Sequence, residues 1–320
     1  MHTEGTNMAV ETLPTTKDFA VNDSHPDWCG GCGDFGILNA VKQALVKRGR
    51  LSHDVMVVSG IGCAGKLPHY VHTYGLHTLH GRVLNVATGV KLANTNLEVL
   101  AVGGDGDAYG IGAGYFVNSG RRNVDFTYLV HNNGVYGLTK GQASPTMRRG
   151  DQVKSMPEPA IIDAINPVGL AICSGYTFVA RGYAMAQREL VGLIVEAMEH
   201  RGTALIDILQ PCPVYNELMT IDFFRGGDIG HQRSYSLADE GFDGKVHDPS
   251  NIDEIVAKQQ AALAKSHEWG DRIPIGVLYQ IDLPTYEDGV ASRRPEFRST
   301  SLVDDARPGA DVRSLEDSFR

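Results

Sequence analysis

Basic residues are in the minority: 29 lysines and arginines stand against 38 aspartates and glutamates, for a net charge of −9. A nucleic-acid footprint, which is basic and clustered, is therefore not expected. No stretch reaches the roughly 18 consecutive apolar residues of a membrane span, and the start of the chain lacks a basic segment followed by an apolar block. A cytoplasmic protein without a membrane partner is the expectation. Cysteine is scarce, at 29, 32, 63, 173 and 212. An odd count without a secretion signal makes a disulfide framework the poorer reading and metal or redox chemistry the better one. Glycine, by contrast, is abundant: 37 in 320 residues exceeds the usual share of about 7%, so tight turns and close backbone approaches are expected.

Short apolar, β-branched runs at 55–60, 99–104, 126–130, 176–180, 204–209 and 274–279 read as buried strands bounded by Gly, Pro or Asn. Helical patterns lie between them at 35–48, 110–118, 185–200 and 252–267. Strands alternating with helices predict an α/β fold with a doubly wound, mainly parallel sheet, whose ligands sit at the carboxyl ends of the strands. Four chemically loaded turns, at 60–63, 103–106, 131–134 and 210–212, each follow a predicted strand, which points to one composite site. There is no internal repeat. The chain divides into an N-terminal extension (1–19), an α/β domain (20–285) and a polar tail (286–320) expected to be extended.

Two patterns carry chemistry. Gly103-Gly-Asp-Gly-Asp107 is followed, 28 residues beyond Asp105, by Asn133 in His131-Asn-Asn-Gly-Val-Tyr-Gly137. A hard divalent ion such as Mg²⁺ takes oxygen ligands from one or two protein groups plus phosphate, and Asp105 and Asn133 can supply two of them. Glycines beside Asp105 let the main chain approach a diphosphate. An EF-hand reading of Asp105 and Asp107 fails for want of the other carboxylates and the closing Glu. The second pattern is Cys29-Gly-Gly-Cys32. Alone it admits an exchanging dithiol, a zinc site or scattered core thiols. Single cysteines at 63 and 212, each at a strand mouth, add a four-thiolate [4Fe-4S] enclosure to these readings. Cys173, inside Leu170-Ala-Ile-Cys173, is expected to be a buried core thiol. The histidines at 69, 72, 77 and 80 lie among Pro68, Gly75 and Gly81 without a suitable acidic neighbour, which favours a loop over a metal helix.

The Gly-Asp-Gly to Asn-Asn spacing resembles the thiamine diphosphate motif, by which Asp105, Asn133 and the Val135 carbonyl would hold Mg²⁺ with the diphosphate, beside Gly104 and Gly106. Taken with Trp28-Cys-Gly-Gly-Cys-Gly33, Gly60-Ile-Gly-Cys-Ala-Gly-Lys66, Thr73-Tyr-Gly-Leu-His-Thr-Leu-His-Gly-Arg82, Asn133 to Thr146 and Pro211-Cys-Pro-Val-Tyr-Asn216, residues 20–285 resemble the β subunit of 2-oxoacid:ferredoxin oxidoreductases. The resemblance implies a thiamine diphosphate-binding fold with Cys29, Cys32, Cys63 and Cys212 as [4Fe-4S] ligands. It also puts Lys66 and the turn of Gly137, Leu138 and Thr139 beside the diphosphate. His77, His80 and Arg82 fall near the thiazolium and substrate, although a hydrogen-bonded structural loop accounts for them equally well. Where the family often has proline after the first cysteine, this chain has Gly30, which loosens the loop and removes no ligand. The implied activity is CoA-dependent oxidative decarboxylation of a 2-oxoacid, with electrons passed to ferredoxin and with an α subunit, in an αβ or α₂β₂ assembly, completing the site. The rival readings are a non-catalytic iron-sulfur electron-transfer subunit and a thiamine-dependent decarboxylase half-subunit without a cluster.

Overall fold

The computed structural model describes residues 13–22 and 24–298. Its centre is an eight-stranded sheet of β1 (Val55–Ser59), β2 (Tyr74–His77), β3 (Glu98–Gly104), β4 (Phe126–Asn132), β7 (Phe178–Tyr183), β8 (Thr203–Leu209), β9 (Ser234–Ser236) and β10 (Ile273–Gln280). The order is β2-β1-β3-β4-β8-β7-β10-β9. Every neighbouring pair is parallel except β7 with β10. A two-stranded ribbon, β5 (Val135–Tyr136) with β6 (Gln142–Ala143), projects beyond β4.

Side-chain alternation explains the helices on both faces. Along β8, Ala204, Ile206 and Ile208 join one apolar cluster and Leu205 joins the other, as the period of two requires. The first cluster is closed by α1 (Gly33–Lys47) and α5 (Gln187–Glu199), whose Ile37, Val41, Ala44 and Leu45, and Leu190, Leu193, Ile194 and Ala197, recur at helical spacing. The second is closed by α2 (Val83–Ala93), α3 (Ala113–Gly120), α4 (Pro167–Ser174) and α7 (Ile252–Ser266). A short α6 (Ile221–Arg225) precedes β9. The doubly wound, mainly parallel expectation therefore holds.

Several expectations need correction. The predicted helix from 110 begins as a wide turn over Gly106–Ile111, is kinked at Gly110 (φ −88°, ψ −106°), and becomes α-helical only at Ala113. Its cause is a Gly112 N–H to Asp107 carbonyl bond, five residues apart, in a segment whose Asp107 carboxyl is tied elsewhere. Cys173 is exposed, not buried: it sits on the outer side of α4, whose Val168, Ala171 and Ile172 face the core. Part of the tail is helical, since Thr285 and Asp288 form a capping box that starts α8 (Tyr286–Ala291). Residues 1–12 of the N-terminal extension and 299–320 of the tail lie outside the described residues. Among the described residues no helix is long and apolar enough to cross a membrane.

One buried residue gives the fold a pH dependence. The His200 side chain is fully enclosed. Thr177 Oγ1 has its proton committed to Asn123 Oδ1, so it accepts from His200 Nε2 at 2.8 Å, while Nδ1 has no hydrogen-bond partner among the described residues. Burial outweighs the pull of Asp282 and depresses its pKa from 6.5 to about 4. The folded state thus resists a proton that the unfolded chain accepts. The stability this group contributes is intact above pH 6.5 and is lost as pH falls towards 4, by roughly 3 kcal/mol. Urea midpoints measured between pH 7 and 4.5 are expected to fall less steeply in His200→Gln than in the unaltered protein; equal slopes would contradict this.

Candidate functional site

Because β1, β3, β4 and β8 run parallel, with Ser59 beside Val102, Gly104 beside His131 and His131 beside Ile208, their carboxyl ends share one edge of the sheet. All four sequence-predicted turns emerge there.

Asp105 is 2% exposed. Its Oδ2 accepts from the Gly134 N–H (2.9 Å) and from the hydroxyls of Ser144 and Thr146 (2.6 Å each), and its Oδ1 from the Gly106 N–H (3.0 Å). Burial pushes its pKa up, and these four donors pull against it. The Gly134 contact ties the acidic turn to the Asn-Asn-Gly turn. Gly134 adopts φ +75°, a left-handed conformation that L side chains rarely take. Asn133, also buried, accepts from the Val135 N–H at its own Oδ1. Carboxylate, amide oxygen and the Val135 carbonyl could supply the hard oxygen donors that Mg²⁺ completed by phosphate takes.

The cysteine loops interlock at the same edge. The N–H groups of Cys32 and Gly33 donate to the carbonyls of Cys29 and Pro211, and the Trp28 indole donates to the Cys63 carbonyl at 2.9 Å. Gly137 fills the gap between two of the sulfurs: a Cβ there would stand 3.7 Å from Cys63 Sγ and 3.8 Å from Cys212 Sγ. Cys32 Sγ contacts Asp34 Oδ2 (3.4 Å) and accepts from Gln210 Nε2 (3.2 Å). Burial foremost, then Asp34, then neighbouring thiols raise Cys63 to about 11 and Cys32 further; Cys212 is raised mainly by burial. An exchanging dithiol needs the opposite shift. Held as thiolates, sulfurs packed this way would need a cation to compensate them. Among the described residues no three His, Cys, Asp or Glu side chains converge as a single-ion site. A cube takes one thiolate per iron at four separate corners.

Gln210, 1% exposed, joins the two halves: its Oε1 accepts from Asn133 Nδ2 at 3.1 Å while its Nε2 reaches Cys32. Asn216 does so again, donating from Nδ2 to the Asn133 carbonyl and from its backbone to the Cys212 carbonyl. Neither side chain is singled out by sequence pattern. Asp34 and His131, bonded at 2.6 Å and both fully enclosed, are also missed, being 97 positions apart. The one local hint is an acidic residue at the first turn of α1 directly after the cysteine pair.

The remaining candidates are spread along the rim. His80 Nδ1 lies 2.6 Å from Asp107 Oδ1, which also accepts from the N–H groups of Ile61 and Gly81. His77, on edge strand β2, has Nδ1 3.0 Å from the Gly65 carbonyl, an acceptor only, so Nδ1 carries the proton. Each histidine thereby leaves Nε2 without a hydrogen-bond partner among the described residues. Arg82 lies over the Tyr115 ring, Lys66 is paired with Asp27 at 3.0 Å, and Thr139 bonds Gln142 beside the exposed Leu138. The role of Asp107 as anchor is not readable from its motif. A Cβ on Gly60 would be driven into that carboxyl group. Gly60→Ala is expected to displace Asp107 and His80 and to cost about 1–3 kcal/mol of stability; an unchanged thermal midpoint would count against the anchor.

The profile of the thiamine pyrophosphate enzyme C-terminal TPP-binding domain matches residues 53–208, and that of the C-terminal part of the pyruvate ferredoxin oxidoreductase β chain matches 212–294. The 2-oxoacid:ferredoxin oxidoreductase subunit β of a Sulfolobus species is 54% identical over 85% of this chain and 87% of its own. Its counterpart in Saccharolobus solfataricus is 50% identical over 90% and 95%. A solved structure of 2-oxoglutarate:ferredoxin oxidoreductase from Magnetococcus marinus, with 2-oxoglutarate, coenzyme A and succinyl-CoA bound, superposes with a TM-score of 0.80 over 96% of each chain at 34% identity.

Proposed function

Since the chain belongs to the β subunits of the 2-oxoacid:ferredoxin oxidoreductases, we propose that it holds thiamine diphosphate with Mg²⁺ and a [4Fe-4S] cluster, and that with an α subunit it converts a 2-oxoacid and coenzyme A to acyl-CoA and CO₂. The observation that carries this reading is the Gln210 side chain, bonded at one end to Asn133 and at the other to Cys32. One rigid amide then separates the thiamine turn from the cysteine loop. In that arrangement bound thiamine diphosphate would supply a carbanion for the 2-oxo carbon, and a cluster on the four cysteines would take up electrons singly.

The chain's own residues bind, orient and exclude water. Asp105, Asn133 and the Val135 carbonyl would hold Mg²⁺, with Gly104 and Gly106 allowing close approach of the diphosphate. Cys29, Cys32, Cys63 and Cys212 would hold the cluster. The Gln210 N–H bond to Cys32 sulfur is of the kind that tunes a cluster's potential. His80, oriented by Asp107, and His77, oriented by Gly65, offer Nε2 at the rim for holding or moving a proton. Arg82 is placed to meet a carboxylate, and Lys66 to approach the diphosphate if it leaves Asp27.

Apolar residues at this rim support an αβ or α₂β₂ assembly: Leu76, Leu79, Ile111 and Leu138 are 40%, 75%, 57% and 49% exposed, a concentration suited to a covering partner. Ferredoxin is the proposed electron acceptor. The test is anaerobic turnover of the co-expressed αβ pair with CoA, ferredoxin and a panel including pyruvate and 2-oxoglutarate. Acyl-CoA is expected from the pair and none from this chain alone. A pair inert towards every 2-oxoacid, or a single chain as active as the pair, would refute the reading.

A further inference from the structure

On the opposite face of the sheet from His131, a cavity of about 590 Å³ lies between the β4–β8–β7 strand ends and the segment after Thr146. Its floor is Arg181, only 4% exposed, whose Nε and Nη1 have no hydrogen-bond partner among the described residues. The nearest carboxyl group does not satisfy them. Asp207 Oδ2 stands 3.8 Å from Arg181 Nε, and Asp207 Oδ1 is taken by the Tyr109 hydroxyl and the Asn132 amide. Arg148 also lines the cavity, its guanidinium lying 3.7 Å above the centre of the Trp269 ring, with Asp151 as the nearby acid. Burial foremost, and Arg181 in addition, hold its pKa down to about 10 against Asp151, so the two cations feel one another. A buried guanidinium with unfilled donors is costly, and a second cation beside it raises that cost.

We propose that this cavity binds a small oxyanion, a carboxylate or a phosphate, which accepts from Arg181 and neutralises Arg148. Trp269 beneath Arg148 holds the guanidinium flat and leaves its edge free for the ligand. The site is not isolated from the metal turn. Asn132 donates to Asp207 at 3.0 Å, and the Thr146 hydroxyl stands between Asn132 Oδ1 (2.8 Å) and Asp105 Oδ2 (2.6 Å) with one proton to share. Occupancy of the cavity is thereby linked to cofactor affinity, and by reciprocity cofactor to anion. This linkage rests on the preceding assignment of Asp105; anion binding itself does not.

The test is calorimetric titration of the cofactor-depleted αβ complex with sodium phosphate and, separately, sodium succinate, at constant ionic strength against sodium chloride. Saturable binding of at least one of them is expected, weakened about tenfold or more in Arg148→Gln, a change at the cavity wall that spares the buried Arg181. Phosphate alone binding would identify a phosphoryl ligand, and succinate alone a carboxylate one. Neither binding beyond chloride, or Arg148→Gln leaving affinity unchanged, would overturn the proposal and leave ordered water as the partner of Arg181. Repeating the titration with thiamine diphosphate and Mg²⁺ present reads the linkage separately, so a failed cofactor assignment leaves the anion result standing.

Discussion

Asp105→Ala is expected to abolish binding of thiamine diphosphate and Mg²⁺ while leaving the iron content unchanged. The carboxylate is the single charged member of the proposed donor set, and a divalent ion held by one amide and one carbonyl has little to compete with water. The substitution has a second effect. Gly134 N–H loses its acceptor in a buried place, while Ser144 and Thr146 are left to turn to Thr146 Oγ1 and Asn132 Oδ1, at about 1–3 kcal/mol for each donor left unpaired. Asp105→Asn separates the two effects, because it keeps an acceptor oxygen and removes the charge. Its fold should survive with cofactor affinity reduced roughly a hundredfold or more. Calorimetry of either variant that still showed full loading would contradict the ligand assignment.

Cys212→Ser is expected to give the converse: cofactor retained, cluster lost or labile, and electron delivery to ferredoxin reduced by orders of magnitude. Serine preserves the shape of the side chain and the Asn216 bond to the residue's carbonyl, so the turn holding Asn133 has no reason to move. Cys173→Ser, on the exposed side of α4, serves as the control and should change neither property. Reduction of ferredoxin at an undiminished rate by Cys212→Ser would remove this cysteine from the proposed ligand set.

The legible parts of this molecule were those with local causes. Strands β1, β3, β4, β8 and β10 announce themselves as apolar β-branched runs, and α1, α5 and α7 as helical spacing, so the shared edge of the four loaded turns follows from parallel order alone. Other elements carry too little local signal. β2 is four exposed residues including Gly75, held by its pairing with β1 and not by its own pattern. α4 hides within a continuous apolar run, although Asn166 as cap and Pro167 at the first turn mark its start. The second layer of the site was opaque for a different reason. Asp34 with His131, Gln210 with Cys32, and Asn216 with Asn133 are pairs between distant segments, and each residue taken alone is an ordinary polar side chain. Asp107 was visible only as a failed calcium ligand, because nothing local reveals that Gly60 and Gly81 pack around its carboxyl group.

In the proposed function, four thiols from three loops and one acidic turn hold two different prosthetic groups side by side. Quantifying iron, acid-labile sulfide and thiamine diphosphate released from the anaerobically purified αβ complex tests it most directly. About four irons, about four sulfides and about one thiamine diphosphate are expected for each β chain. Zinc in place of iron, or iron without thiamine diphosphate, would contradict it.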